Sequence, residues 1–184
     1  MSEVILEMSE KMEKSVETYK AELSKIRTGR ASLALLDGIS VDAYGSAMPL
    51  NQVGTLTIPE SRMIAIQAWD PQMLGAIEKA ILKSDIGLTP VNDGKIIRLS
   101  IPQLTEERRK DIVKQVKKVA EEFRVAVRNS RREAIDILKK QKKDKEISED
   151  DLFKMQDEAQ SETDDYIKQV DEVTASKEKE VMEV

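Results

Sequence analysis

Cysteine and histidine are both missing from this 184-residue chain. Without thiols there are no disulfides and no thiolate metal sites. Without imidazole the usual general base and the commonest metal ligand are gone. Aromatic residues make up 3% of the chain, with one tryptophan, which points to helices packed through aliphatic side chains rather than a β-sandwich. No run of 18 apolar residues occurs, so no helix is expected to cross a membrane. The N-terminal stretch MSEVILEMSEKMEKS has early acidic residues and no apolar core, unlike a signal peptide, and it lacks the arginines of a transit peptide. A reducing cytoplasm is the expected location. Neither Gly-x-x-x-x-Gly-Lys nor Gly-x-Gly-x-x-Gly occurs, and Asp164-Asp165 lacks the spacing of an EF-hand. Nucleophile–base pairs shrink to Ser-Lys or carboxylate dyads. Ser130, flanked by arginines, sits where small-residue packing explains it. The expectation is a protein that is not an enzyme and holds no cofactor or metal.

What is present is charge, unevenly placed. The net charge is -5. Residues 1–104 are nearly balanced, residues 105–145 carry 15 basic and 8 acidic groups, and residues 146–184 carry 4 basic and 14 acidic groups. The basic stretch has no Gly or Pro. Its apolar or small residues fall at Val113, Val116, Ala120, Phe123, Val127, Ser130, Ala134 and Ile137, the three-four spacing of a helix packed lengthwise on other helices. At ~1.5 Å per residue it makes a rod of about 60 Å. Lys110, Lys117, Arg124 and Arg131 recur every seven residues along it. Lys114 and Arg128 lie one helical step away, and Arg109 and Arg132 widen the row at its ends. Such a row suits the backbone of a regular polyanion, with RNA the first candidate. Arginine's planar fork is the better phosphate clamp. The competing reading pairs the row with the acidic third helix, inside the bundle.

Two further helices are expected. Residues 2 to about 28 place Ile5, Met8, Met12, Val16, Tyr19, Leu23 and Ile26 on one face. Ser148 and Asp151 form a capping box, after which Leu152, Met155, Ala159, Tyr166, Val170 and Val173 trace a third seam. The charged tail past Ala175 is expected to fray. None of the three buries its seam alone, so together they make a three-helix bundle. Between the first and second, Pro, Gly and β-branched residues appear. Strands are expected at 39–44, 55–58, 63–69 and 95–101, with Asp93-Gly94 as a turn. A helix opens at Asp70-Pro71 and runs to about Lys83, burying Leu74, Ile77, Ile81 and Leu82. Trp69, closing an apolar strand, reads as core rather than as a base-stacking platform. The fold class is α+β. Residues 1–29 and 105–184 form the bundle, and residues 30–104 form an inserted β/α/β domain. Thr28, Gly29, Arg30 and Ala31, with Pro102, Gln103, Leu104 and Thr105, form a double hinge. Arg27 and Arg30 around the bend serve either as helix caps or as phosphate contacts.

Several stretches in order resemble bacterial ribosome recycling factors. They are Lys25-Ile26-Arg27-Thr28-Gly29-Arg30-Ala31, Leu35-Leu36-Asp37-Gly38-Ile39, Pro102 to Lys110, Arg124 to Arg132, and Lys143 to Asp151. The resemblance covers essentially the whole chain. It implies a three-helix bundle with an inserted β/α/β domain in a bent L shape close to a transfer RNA. It implies binding to the post-termination 70S ribosome and, with elongation factor G and GTP, splitting into subunits with release of mRNA and deacylated tRNA. It implies rRNA contacts at Arg131 first, then Arg128 and Arg109, with Arg27 and Arg30 near the hinge. Arg124, Lys117, Arg132 and Lys110 join them on the basic row. A monomer is expected, and the alternative is a generic structural RNA-binding or helical adaptor protein.

Overall fold

A computed structural model describes residues 2–183. The chain separates into two compact units, one made of the chain up to Ile26 together with Glu106–Glu183, the other of Arg27–Thr105. The first is all helical and the second carries every strand. The class is therefore α+β.

The helical unit has three staves. Helix α1 spans Glu3–Ser24, α3 spans Glu106–Lys143 and α4 spans Glu149–Met182, while α2 belongs to the second unit. Each stave packs on the other two. Ser2 caps α1 by accepting the Ile5 amide at 3.3 Å. The helix buries Ile5, Met8, Met12, Val16, Tyr19 and Leu23. It stops at Ser24 rather than about residue 28, because the chain turns through Gly29 at φ 80°. Such a φ needs no Cβ in the way.

Helix α3 corrects the expected seam at both ends. Its buried residues are Ile112, Val116, Ala120, Val127, Ala134 and Leu138. Ile112 replaces Val113, which is half-buried, and Leu138 replaces Ile137, which is 43% exposed. A strict seven-residue repeat falls about 20° short of two full turns, so along the seven or so turns from Ile112 to Leu138 the buried line shifts toward the next residue.

Lys145 ends the connection from α3 in the left-handed region at φ 62°. Its amide bonds the Lys142 carbonyl and the Glu146 amide bonds the Gln141 carbonyl, which satisfies the last free carbonyls. The capping box then opens α4, with the Ser148 hydroxyl accepting the Asp151 amide at 3.1 Å and the Asp151 carboxylate accepting the Ser148 amide at 3.2 Å. Far from fraying past Ala175, α4 continues to Met182, with Val181 fully buried.

Two threonines in the α4 seam were not anticipated. Thr163 and Thr174 are buried, each donating its hydroxyl to the carbonyl four residues back at 2.6 Å. That bond removes the penalty of a buried hydroxyl. With its proton spent, Thr174 accepts from the Tyr19 hydroxyl at 2.5 Å. The Tyr19 ring lies 5.2 Å from that of Phe123, so one side chain of α1 fastens both other staves.

The second unit is a four-stranded antiparallel sheet in the order β3-β4-β6-β5, with a separate β1–β2 hairpin. The strands are β1 Ser40–Ala43, β2 Ser46–Pro49, β3 Gly54–Glu60, β4 Met63–Ala68, β5 Pro90–Asn92 and β6 Ile96–Ser100. Strands β2 and β5 were not anticipated. Each is four residues or fewer, and each carries a proline, which weakens a strand signal. Helix α2, Leu74–Lys83, packs on the hairpin and sheet through Leu74, Ile77 and Ile81. Leu82 is 60% exposed rather than buried. It lies one residue beyond Ile81, about 100° round the helix. Asp70 accepts the Gln72 amide at 3.0 Å and opens the single helical turn Pro71–Met73 ahead of α2. Gly54 is required by close approach, since a Cβ there would meet the Gln67 carbonyl oxygen at 2.6 Å.

The turn between β3 and β4 holds both ends of this unit. The Ala31 amide bonds the Ser61 carbonyl at 2.7 Å, and the Ile101 amide bonds the neighbouring Arg62 carbonyl at 2.9 Å. Trp69 lies past the end of β4 and is 65% exposed, contrary to its reading as core. Residues 63, 65 and 67 alternate with the buried Ile64 and Ile66, and Trp69 continues the outward series.

Candidate nucleic-acid interface

The cations of α3 do not form one outward ridge. The same drift of about 20° per heptad that moves the seam also rotates the basic row. Lys110 and Lys117 are exposed, whereas Arg124 and Arg131 turn into the groove toward α4.

Arg124 is the most engaged. Its side chain is 23% exposed. Nε donates to Asp171 Oδ1 at 2.8 Å, Nη2 lies 2.7 Å from the same oxygen, and Nη1 donates to Glu121 at 3.2 Å. Burial pulls its pKa down, but the bonds to Asp171 and Glu121 outweigh this and leave it raised. The alternative of pairing with the acidic helix is thus realised at this residue. Arg131 instead meets a neutral partner, donating to Gln160 Oε1 at 2.6 Å, while Gln160 donates to Asp164 at 2.8 Å. Its charge is uncompensated by a direct ion pair and its guanidinium is aimed. Arg128, 39% exposed, is steadied by Glu121 at 3.2 Å. Lys110 pairs with Glu106 one turn back at 2.9 Å. Lys114, Lys117 and Arg132 are exposed and form no ion pair among the described residues. Arg109 lies on the seam side and is half-buried, with its Nε covered and unbonded.

Arg27 and Arg30 fall in the second unit and are exposed. Arg27 gives one N–H to the Ile86 carbonyl at 2.9 Å, which fastens the start of this unit to the turn that follows α2. Thr28 and Gly29 are buried, whereas Pro102, Gln103 and Thr105 are exposed and Leu104 is half-buried.

Gln160 and Asp171, the two α4 residues that set the directions of Arg131 and Arg124, escaped the sequence reading. Their signal lay in the drift of the basic row toward the helix that follows. The Ser130 hydroxyl donates to the Ala126 carbonyl one turn back at 3.2 Å. Among the described residues no group of three or more acidic side chains could hold a metal, and no helix is long and apolar enough to cross a membrane.

The profile of the family described as Ribosome recycling factor matches residues 19–182. The chain belongs to the ribosome recycling factor family. A ribosome-recycling factor from Desulfotalea psychrophila is 77% identical over 184 residues, covering 100% of both chains. One from Trichlorobacter lovleyi is 59% identical over 181 residues, covering 98% of each. Among solved structures, a solution structure of the ribosome recycling factor superposes with a TM-score of 0.79 at 42% identity, covering 100% of both chains. A second match is the T. thermophilus ribosome recycling factor from models of that protein and E. coli elongation factor G bound to the E. coli post-termination complex. It has a TM-score of 0.65 at 46% identity, covering 99% of this chain and 100% of that one. The ribosome recycling factor family is therefore matched in sequence and in fold over nearly every residue.

Proposed function

We propose that the chain recycles ribosomes after termination. It binds the post-termination 70S ribosome through cations of α3, those on its exposed face together with Arg131 at the groove with α4. With elongation factor G, and with GTP hydrolysed by that factor, it drives separation into subunits, releasing mRNA and deacylated tRNA. The observation that carries this reading is the set of cations on one helix, held in direction yet left available. Arg131 is aimed by Gln160 and Arg128 by Glu121, on the same helix as Lys117 and Arg132, which form no ion pair among the described residues. Guanidinium groups fixed in this way lose little freedom on meeting phosphates. The similar protein placed on a post-termination complex with elongation factor G supports the same partners for this chain.

In this reading large-subunit rRNA is gripped by Arg131, Arg128, Arg132, Lys117 and Lys110, with Arg109 at the end of the row. Arg124 acts as a strut behind them. The carboxylates of α4 repel RNA from the opposite side and so orient the particle. Residues 28–31 and 102–105 serve as the pivot on which the inserted unit transmits the push of the elongation factor. The chain acts as a monomer in the cytoplasm, holds no cofactor and makes or breaks no covalent bond.

Co-sedimentation with 70S particles across a salt series tests the proposal. Binding at low salt and release at high salt are expected, with a log-log slope of roughly -0.9 per phosphate contact by analogy with duplex DNA. Absence of binding at low salt refutes the ribosome reading. Salt-independent binding refutes the role of the cations.

A further inference from the structure

Residues 27–105 contain two aromatic side chains, Tyr44 and Trp69. The buried core of that unit is entirely aliphatic, and the two rings are 75% and 65% exposed. A buried aromatic side chain removes 150–250 Å² from water, so a small unit that keeps both outside gives up its largest available apolar contacts.

Both rings are also held in place. Trp69 Nε1 donates to Thr55 Oγ1 at 3.0 Å, and the Tyr44 hydroxyl donates to Asp70 Oδ2 at 2.6 Å. The other Asp70 oxygen accepts the Gln72 amide at 3.0 Å. One carboxylate therefore fastens the tip of the β1–β2 hairpin to the turn that carries Trp69. Tyr44 and Gly45 have φ of 53° and 80°, as a two-residue hairpin turn of this hand requires. Asn, Asp or Gly suits the first position, and tyrosine is held there against the steric preference of its Cβ. Backbone geometry gives no reason for the ring.

We infer that Tyr44, Trp69 and Asp70 form a docking surface for a protein segment that presents an arginine or lysine side chain. The sign of the local charge selects this partner. Asp42 is exposed two residues before Tyr44, and the residues hydrogen-bonded around the rings, Thr55, Asp70 and Gln72, include no cation. A phosphodiester would meet two carboxylates. A cation meets an aromatic face beside a carboxylate, the arrangement that attracts it. Asp70 keeps lone pairs for an incoming donor after its two bonds. The bond from Tyr44, then that from Gln72, lowers its pKa and keeps it ionised. The surface thus has the opposite character to the cationic face of α3.

Trp69 is the chain's one tryptophan, so its emission reports this surface alone. The full chain is titrated at low salt with hexa-arginine, hexaglutamate and hexauridylate. A saturable change with hexa-arginine only is expected, weakened about threefold by Asp42→Asn, as suits one exposed charge. Asp164→Asn on α4 should leave the response unaltered, and Tyr44→Phe reads the bond to Asp70 while keeping the ring. A response to hexauridylate overturns the inference in favour of base stacking. No response to any probe overturns it, as does a hexa-arginine response indifferent to Asp42→Asn.

Discussion

Replacing Arg124 separates the strut from the grip. Its guanidinium reaches Asp171 at 2.7 and 2.8 Å, but the aspartate is 54% exposed, so solvent screens much of the attraction. A charge-assisted pair in that setting contributes about 1 kcal/mol. The buried aliphatic stem adds roughly half as much again through packing. Arg124→Ala is therefore expected to cost about 1.5 kcal/mol, which for a chain of this length lowers the melting temperature by roughly 3–6 °C. Arg124→Met keeps the stem and should recover about a third of the loss. Arg132 is exposed and forms no ion pair among the described residues, and Arg132→Ala should move the melting temperature by less than about 1 °C. Ribosome binding should show the reverse order. The slope of log affinity against log salt shrinks by about 0.9 in Arg132→Ala and far less in Arg124→Ala. Circular dichroism melts and 70S sedimentation on the same preparations supply both readings. If Arg124→Ala melts like the parent and loses as much slope as Arg132→Ala, the strut assignment is wrong.

Two other perturbations probe the units separately. Tyr19→Phe removes the donor to Thr174 and should destabilise the helical bundle by about 1 kcal/mol, read from the urea midpoint. Burial first raises the Tyr19 pKa above its ordinary value of 10. The stability it contributes is thus complete below pH 10 and lost as pH rises through the folded value, and the Phe variant should flatten that alkaline decline. In the sheet unit, bonds from the Ile96 amide, the Arg98 guanidinium and the Lys95 amide lower the Asp93 pKa from 3.8 to about 2. Its contribution is present above about pH 4 and lost as pH falls toward 2. Asp93→Asn should remove that part of the acid dependence, as followed by Trp69 emission.

The seam of α1 could be read residue by residue, because Glu and Lys leave little choice at the positions between Ile5 and Leu23. The α+β class followed from the change of grammar after Ala31. Length defeated the same reasoning in α3. Over nearly forty residues the difference between 3.5 and 3.6 residues per turn accumulates, which moved burial from Ile137 to Leu138 and turned Arg124 toward Asp171. Partners on another helix depend on the register between α3 and α4, which no local pattern encodes. Thr163 and Thr174 were passed over because a hydroxyl reads as polar until its bond to the preceding turn is seen. Trp69 was misplaced because hydrophobicity says nothing about which face of a sheet is covered. Val181 escapes notice because it is a lone buried residue in a charged tail, seven positions after Thr174.

The turn at Ser61-Arg62 receives both the incoming and the outgoing chain. Once that knot is tied, the 81 residues between Ser24 and Glu106 act on the helices as a gap of ten, residues 25–30 and 102–105. An unfolded excursion of the full length would make closure of the α1–α3 pair harder by about 2 kcal/mol. The strands should therefore hasten assembly of the helices, and a lesion in the sheet should slow formation of the bundle.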